Sequence, residues 1–123
     1  MEWQFRNDQP IYTQLTEQLT QGIIAGAFRP GERLPSVRDL ALEAGVNPNT
    51  VQRALAELER DGLVYSQRTA GRFVTEDEEM IKQAKFRLAD QCVAEFLSAM
   101  KKLGCSREEV IALLEGMKEE EEK

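Results

Sequence analysis

The chain has 123 residues, 31% charged and 41% hydrophobic, with 16 basic and 22 acidic side chains, no histidine and a net charge of -6. That length suits one compact unit with a small appendage, and the acidic balance lacks the basic footprint usual for a nucleic-acid binder. No apolar run of about 18 residues and no apolar leader is present, so neither a membrane span nor a signal peptide is expected and the cytoplasm is the expected location.

In chain order, Trp3 and Phe5 come first, two aromatics expected to dock on a later hairpin or, as the second choice, on a partner subunit. Pro10 then opens a helix whose Ile11, Leu15, Leu19 and Ile23 share one face, with Tyr12 beside them. Gly26 and Pro30-Gly31 end that helix and turn the chain. Arg33-Leu34 is left as a short strand able to pair with the same hairpin.

Ser36, with Asp39 three residues on, has the spacing of a capped helix start. That helix should run to about Ala44, with Gly45 supplying the left-handed residue past its end. Asn47 and Pro48 are suited to cap and open the next helix, so the turn between the two is short. In the second helix Val51, Ala54, Leu55 and Leu58 form one buried stripe. Opposite it lie Asn49, Arg53, Ala56 and Arg60, flanked by Thr50 and Gln52. Asn and Gln can pair bidentately with adenine, Arg with guanine and Thr with either, while a small Ala lets the helix approach a thymine methyl. Arg60 is set apart, since Glu57 or Asp61 can neutralise it. The stretch from Leu34 to Val74 thus has two short capped helices, a tight turn and a β-hairpin, the layout of a winged helix-turn-helix.

Beyond the hairpin, Glu76 to Glu79 suit the positive end of a helix that should run to Leu103, where Lys101 and Lys102 suit its negative end. Gly104 stops it, and Ser106 with Glu109 forms a second capping box. The fold class expected is mainly α with a small β-hairpin. It comprises a winged helix-turn-helix over residues 1-75 and a two-helix C-terminal hairpin over residues 76-123. Leu88, Val93, Phe96, Leu97, Met100 and Leu103 on the long helix, with Ile111 and Leu114 on the short one, offer more apolar surface than the hairpin can cover. A homodimer through that surface is the expected solution. Phe96 and Met100 are also the residues at which a small-molecule effector would bind, although dimer core is their stronger reading. The closing run Glu119 to Lys123 reads as a solvated end.

Gln9 to Leu15 (QPIYTQL), Leu34 to Ala41 (LPSVRDLA), Asn47 to Leu63 (NPNTVQRALAELERDGL) and Ala70 to Val74 (AGRFV) together resemble the DNA-binding domain of GntR-type bacterial repressors. The short tail is similar to that of the YtrA subfamily, whose members are dimers that commonly control ABC transporter genes. The resemblance implies a double-stranded DNA operator as partner. It implies DNA contacts from Ser36 and Arg38 at the entry of the first motif helix and from Asn47, Asn49, Thr50, Gln52 and Arg53 of the recognition helix. It places Gly71 at the tip of the wing, where a backbone without a side chain can approach the minor groove. The usual family wing reads Gly-x-Gly-Thr-Phe-Val, whereas this chain has Thr69-Ala70-Gly71-Arg72-Phe73-Val74. Arg68 and Arg72 would then hold the wing on phosphates, or equally serve as a charged hairpin edge.

The acid is unevenly spread. Residues 1-75 carry 8 Arg, no Lys and 9 acidic residues, a balance of -1, and the remainder carries -5. The modest charge predicts weak non-specific binding and a shallow salt dependence, with specificity resting on base contacts. Cys92 and Cys105 lack CxxC spacing and a histidine to complete a zinc set, so they read as core or incidental thiols, with a redox switch between them as the lesser alternative. No cofactor is expected, and no activated nucleophile or acid pair makes an enzyme. The competing class is a protein-interaction module whose winged helix bridges proteins without sequence-specific DNA binding. Such a face more often carries aromatic anchors, and the stripe of Asn49, Gln52 and Arg53 carries none.

Overall fold

Three buried leucines and isoleucines one helical turn apart fix the first element. In the computed structural model, which describes residues 1-117, Leu15, Leu19 and Ile23 are buried on α1 (Ile11–Ala25). Gly26 ends this helix, its amide donating to the Ile23 carbonyl. The N-terminal segment lies along α1 and not on the hairpin, because two glutamines bond to its backbone. Buried Gln14 accepts from the Arg6 amide at 2.7 Å and donates to the Arg6 and Gln9 carbonyls, and Gln18 does the same with both backbone groups of Gln4. Trp3 and Phe5 are thereby packed against the core, and the Trp3 indole N–H donates to Glu43 of the second helix at 3.3 Å. The expected docking on the hairpin is corrected: bonding by Gln14 and Gln18 satisfies backbone groups of the N-terminal segment beside α1.

The two motif helices follow their caps. α2 (Val37–Ala44) starts where the Ser36 hydroxyl accepts the Asp39 amide at 3.0 Å. It ends at Gly45, whose φ of 70° lies in the left-handed region and whose amide reaches the Ala41 carbonyl. α3 (Pro48–Arg60) starts where Asn47 Oδ1 accepts the Asn49 amide at 2.7 Å. Val51, Ala54, Leu55 and Leu58 of α3 are all essentially inaccessible and meet Leu15, Leu19, Leu40 and Leu63 in one cluster. Full burial of each such leucine contributes about 1.5–3 kcal/mol.

β1 (Val64–Gln67) and β2 (Gly71–Val74) pair antiparallel in the register Val64↔Val74 to Gln67↔Gly71. Tyr65 and Phe73 stack across them with ring centroids 5.7 Å apart. The segment before α2 covers the outer edge of β2. Arg33 bridges to Phe73, the Leu34 amide donates to Arg72, and the Gly31 and Val74 amides complete the run. The strand expected at Arg33-Leu34 is reduced to one bridge residue, Arg33, with the Leu34 amide bonded beside it. It leaves less of the two-stranded sheet open to edge pairing.

α4 (Glu78–Lys102) begins under a cap from Asp77, whose Oδ1 accepts the Glu79 amide at 3.0 Å. Ala84 is buried in the winged-helix core, with Met80 and Ile81 packed against it. The first compact unit therefore extends past the wing to Phe86, and the second begins at Arg87. In the second unit, Gly104 turns the chain into α5 (Arg107–Gly116), whose capping box is complete. Ser106 Oγ accepts the Glu109 amide at 3.1 Å and Glu109 accepts the Ser106 amide at 2.7 Å. Among the described residues no helix is long and apolar enough to cross a membrane. The run Glu119 to Lys123 lies outside the described residues.

Gly45 is set by backbone and not by space, for a Cβ there would meet nothing within 4 Å. Gly45→Ala is expected to cost about 1–2 kcal/mol in urea unfolding through the left-handed φ alone. Gly45→Asn should recover part of that loss.

Candidate nucleic-acid interface

Burial of one stripe of α3 determines what the opposite stripe presents. Asn49, Gln52, Arg53 and Ala56 are exposed, while Thr50 at the flank is half-buried. Arg60 is paired with Glu57, its Nη1 donating to Oε1 at 2.9 Å, as its position at the far end of the helix implied. The two cap residues keep chemistry to spare. Ser36 and Asn47 each use a side-chain oxygen as acceptor for the helix, leaving the Ser36 hydroxyl hydrogen and the Asn47 amide N–H groups as donors. Arg38 is exposed on α2. Donors at two helix starts form an arrangement suited to phosphate oxygens.

Arg53 is not an unsupported side chain. Its guanidinium carbon stands 3.7 Å from the centroid of the Tyr12 ring, which lies at the start of α1. This cation–π contact restrains the guanidinium and uses none of its N–H donors. Tyr12 was noticed in the sequence only as a neighbour of the core stripe. Its role depends on a contact across 41 positions, which helical periodicity does not encode.

The wing places its three candidates differently from one another. Arg68 is exposed in the turn. Gly71 is exposed with φ of 107°, and a Cβ there would stand 3.0 Å from Arg33 Nε. The absent side chain at Gly71 thus leaves room for Arg33, a residue the sequence reading used only as strand. Arg72 turns back onto α3. Its Nη2 donates to Gln52 Oε1 at 3.1 Å, and its Nε lies 3.7 Å from Glu59 Oε1. Ser66, the register partner of Arg72, donates its hydroxyl to the other oxygen of Glu59. Arg72 is tied to the recognition helix, whereas Arg68 and Arg33 remain the cations at the wing surface.

The second unit holds the apolar positions expected to dimerise. Val93, Phe96, Leu103, Ile111 and Leu114 are exposed, with Leu103 at 76%, whereas Leu88, Leu97 and Met100 are half-buried. Val93, Phe96, Leu97, Val110, Ile111 and Leu114, with Cys92 and Arg107, line an open groove of about 450 Å³. Met100 is not part of that lining. Cys92 and Cys105 are both free; Cys92 is exposed on the rim of the groove, so it is not a core thiol.

The model of the family "Bacterial regulatory proteins, gntR family" matches residues 11–74. The HTH-type transcriptional regulator YhcF of Bacillus subtilis (strain 168) is 39% identical over 118 residues, 96% of this chain and 95% of its own length. The HTH-type transcriptional repressor YtrA of the same organism is 42% identical over 72 residues, 58% of this chain and 55% of that one. A GntR family transcriptional regulator from Listeria monocytogenes superposes with a TM-score of 0.84 at 38% identity, covering 93% of this chain and 100% of that chain. With its winged helix-turn-helix and a family match across more than half of its length, this chain belongs to the GntR family of bacterial regulatory proteins and is a transcriptional regulator, not an enzyme.

Proposed function

We propose that this regulator is a sequence-specific repressor that binds a palindromic DNA operator as a homodimer in the cytoplasm. The observation that carries the reading is the exposed polar stripe of Asn49, Gln52 and Arg53, opposite a fully buried stripe on a helix capped by Asn47. A helix held this way can lie in a major groove with its first turns toward base edges. The stripe lacks the aromatic anchors of a protein-docking face. Ser36, Arg38 and Asn47 contribute backbone contacts beside it, and Arg68 reaches phosphate from the wing.

The homodimer is supported by the apolar positions of the second unit. Phe96, Ile111 and Leu114 border one groove and remain 41%, 45% and 55% exposed, an apolar surface of the kind that a second copy covers. Two reading heads about 34 Å apart would meet successive major grooves of a palindrome. ABC transporter genes are the proposed targets, as the likeness to the YtrA subfamily implies. The groove beside Phe96 serves the dimer in this reading. A ligand that raises thermal stability, and loses that effect on Phe96 replacement, would assign the groove to an effector instead.

Selection of bound duplexes from random sequence should enrich a palindrome with wild type and lose it with Asn49→Ala/Arg53→Ala; absence of enrichment with wild type would favour the protein-interaction reading. Arg53→Ala is expected to weaken binding by about 1–3 kcal/mol and to relax preference at one position per half-site. Tyr12→Phe should leave that preference intact and Tyr12→Leu should weaken binding by about 0.5–1 kcal/mol, because only the first keeps an aromatic face under Arg53. Phe96→Asp together with Leu114→Asp should turn a dimer into a monomer in sedimentation, while each head keeps its native unfolding transition.

A further inference from the structure

Gln52 and Glu59 lie seven residues apart on α3, two turns or about 10.5 Å along one face. The Arg72 side chain reaches both of them from β2. It is held firmly: only 26% of it is exposed, and its Nε is buried without a hydrogen-bond acceptor, with the Glu59 carboxylate beside it as counter-charge. Glu59 is held in turn by the Ser66 hydroxyl of β1. One carboxylate and one guanidinium thus tie both strands of the wing to the recognition helix.

This contact has a chemical consequence for Gln52. A guanidinium has N–H donors and no acceptor, so the Gln52 atom facing Arg72 at 3.1 Å must be the carbonyl oxygen. The carboxamide is therefore turned one way, with its oxygen engaged and its NH2 without an acceptor among the described residues. Bidentate pairing with adenine needs both halves, the oxygen accepting from N6 and the NH2 donating to N7. The oxygen keeps a second lone pair, but an adenine N6 amino group approaching it would be set against the Arg72 cation. The keto bases have no such conflict, because guanine O6 and thymine O4 both accept from an NH2.

We infer that Arg72 is a positioning residue for base readout, which fixes Gln52 as a hydrogen-bond donor and makes it select a keto base, guanine or thymine, in place of adenine. The inference rests on the DNA-binding reading above and deepens it. It assigns Arg72 a part in specificity through Gln52, distinct from phosphate contact or a charged hairpin edge.

The test is competition binding on the selected operator, with each half-site base pair varied in turn, for wild type, Gln52→Ala, Arg72→Thr and the double variant. Threonine suits a strand and stands at this position in the usual family wing. Arg72→Met, which keeps the aliphatic stem but no donor, guards against an effect peculiar to threonine. Wild type should favour guanine or thymine at one position whose preference Gln52→Ala erases. Arg72→Thr and Arg72→Met should shift that position toward adenine by about tenfold, with no further change when Gln52 is already Ala. The inference is overturned if both Arg72 variants lower affinity for all sequences alike and keep the wild-type profile, since that is the result for a wing clamp or a phosphate contact. It is equally overturned if the Gln52-dependent base is adenine in wild type. No sequence preference in wild type would bring down the DNA-binding reading itself, which separates that failure from failure of the Arg72 assignment alone.

Discussion

The interface depends on the burial of Val51, Ala54, Leu55 and Leu58 against Leu15, Leu19 and Leu40. A helix with one fully buried stripe cannot rotate about its axis without exposing leucine at about 1.5–3 kcal/mol per side chain. Packing at that stripe therefore fixes the azimuth of Asn49, Gln52 and Arg53 on the other side. The caps at Ser36 and Asn47 fix where the two helices begin, so translation along the axis is constrained as well. What a DNA groove would meet is decided by residues it never touches.

The charge of the head takes on a different sense once the pairs are known. Arg60 is neutralised by Glu57, Arg72 by Glu59 and Arg6 by Asp8. Part of the acid in this unit thus restrains arginines instead of repelling phosphate. Arg33, Arg38 and Arg68 form no ion pair among the described residues, and these lie at the wing and at the second helix of the fold. A near-neutral head can in this way keep a locally cationic rim around a polar reading helix. Long-range attraction is small in such an arrangement, and close contacts decide affinity.

Features governed by short-range rules were legible in the sequence. The caps at Ser36, Asn47 and Ser106, the left-handed Gly45, the apolar stripes of α1 and α3 and the hairpin all follow from residues within a few positions of one another. The pairing of Arg33 with the wing was legible too, since the segment follows the Pro30-Gly31 turn, although it forms a single bridge and not a strand. The side-chain contacts between distant elements were not. Nothing in the spacing of residues says that Gln14 and Gln18 will bond the N-terminal segment to α1, that Tyr12 will lie under Arg53, or that Arg72 will turn inward to Gln52. One signal was present and was not used. Arg72 stands where the usual wing has threonine, and phosphate contact and a charged hairpin edge were the two readings weighed for it, although a long cation on a strand facing a helix with Glu59 has a nearer partner.

Two of the three polar residues in the stripe of Asn49, Gln52 and Arg53 are thus supported by a neighbour, Arg53 by an aromatic ring and Gln52 by a guanidinium. Free long side chains lose roughly 0.5–1.5 kcal/mol each when a partner immobilises them. Side chains already held give up less on binding, and they also present a defined set of donors and acceptors. For a strongly basic domain such economy matters little, since phosphate contacts supply most of the affinity. For a chain of net charge -6 it matters more. In the proposed mode of action, low net charge weakens binding to arbitrary DNA and restrained side chains keep the correct sequence from losing as much. The acidic composition, which at first argues against a DNA reader, then fits one whose discrimination rests on preorganised contacts instead of accumulated charge.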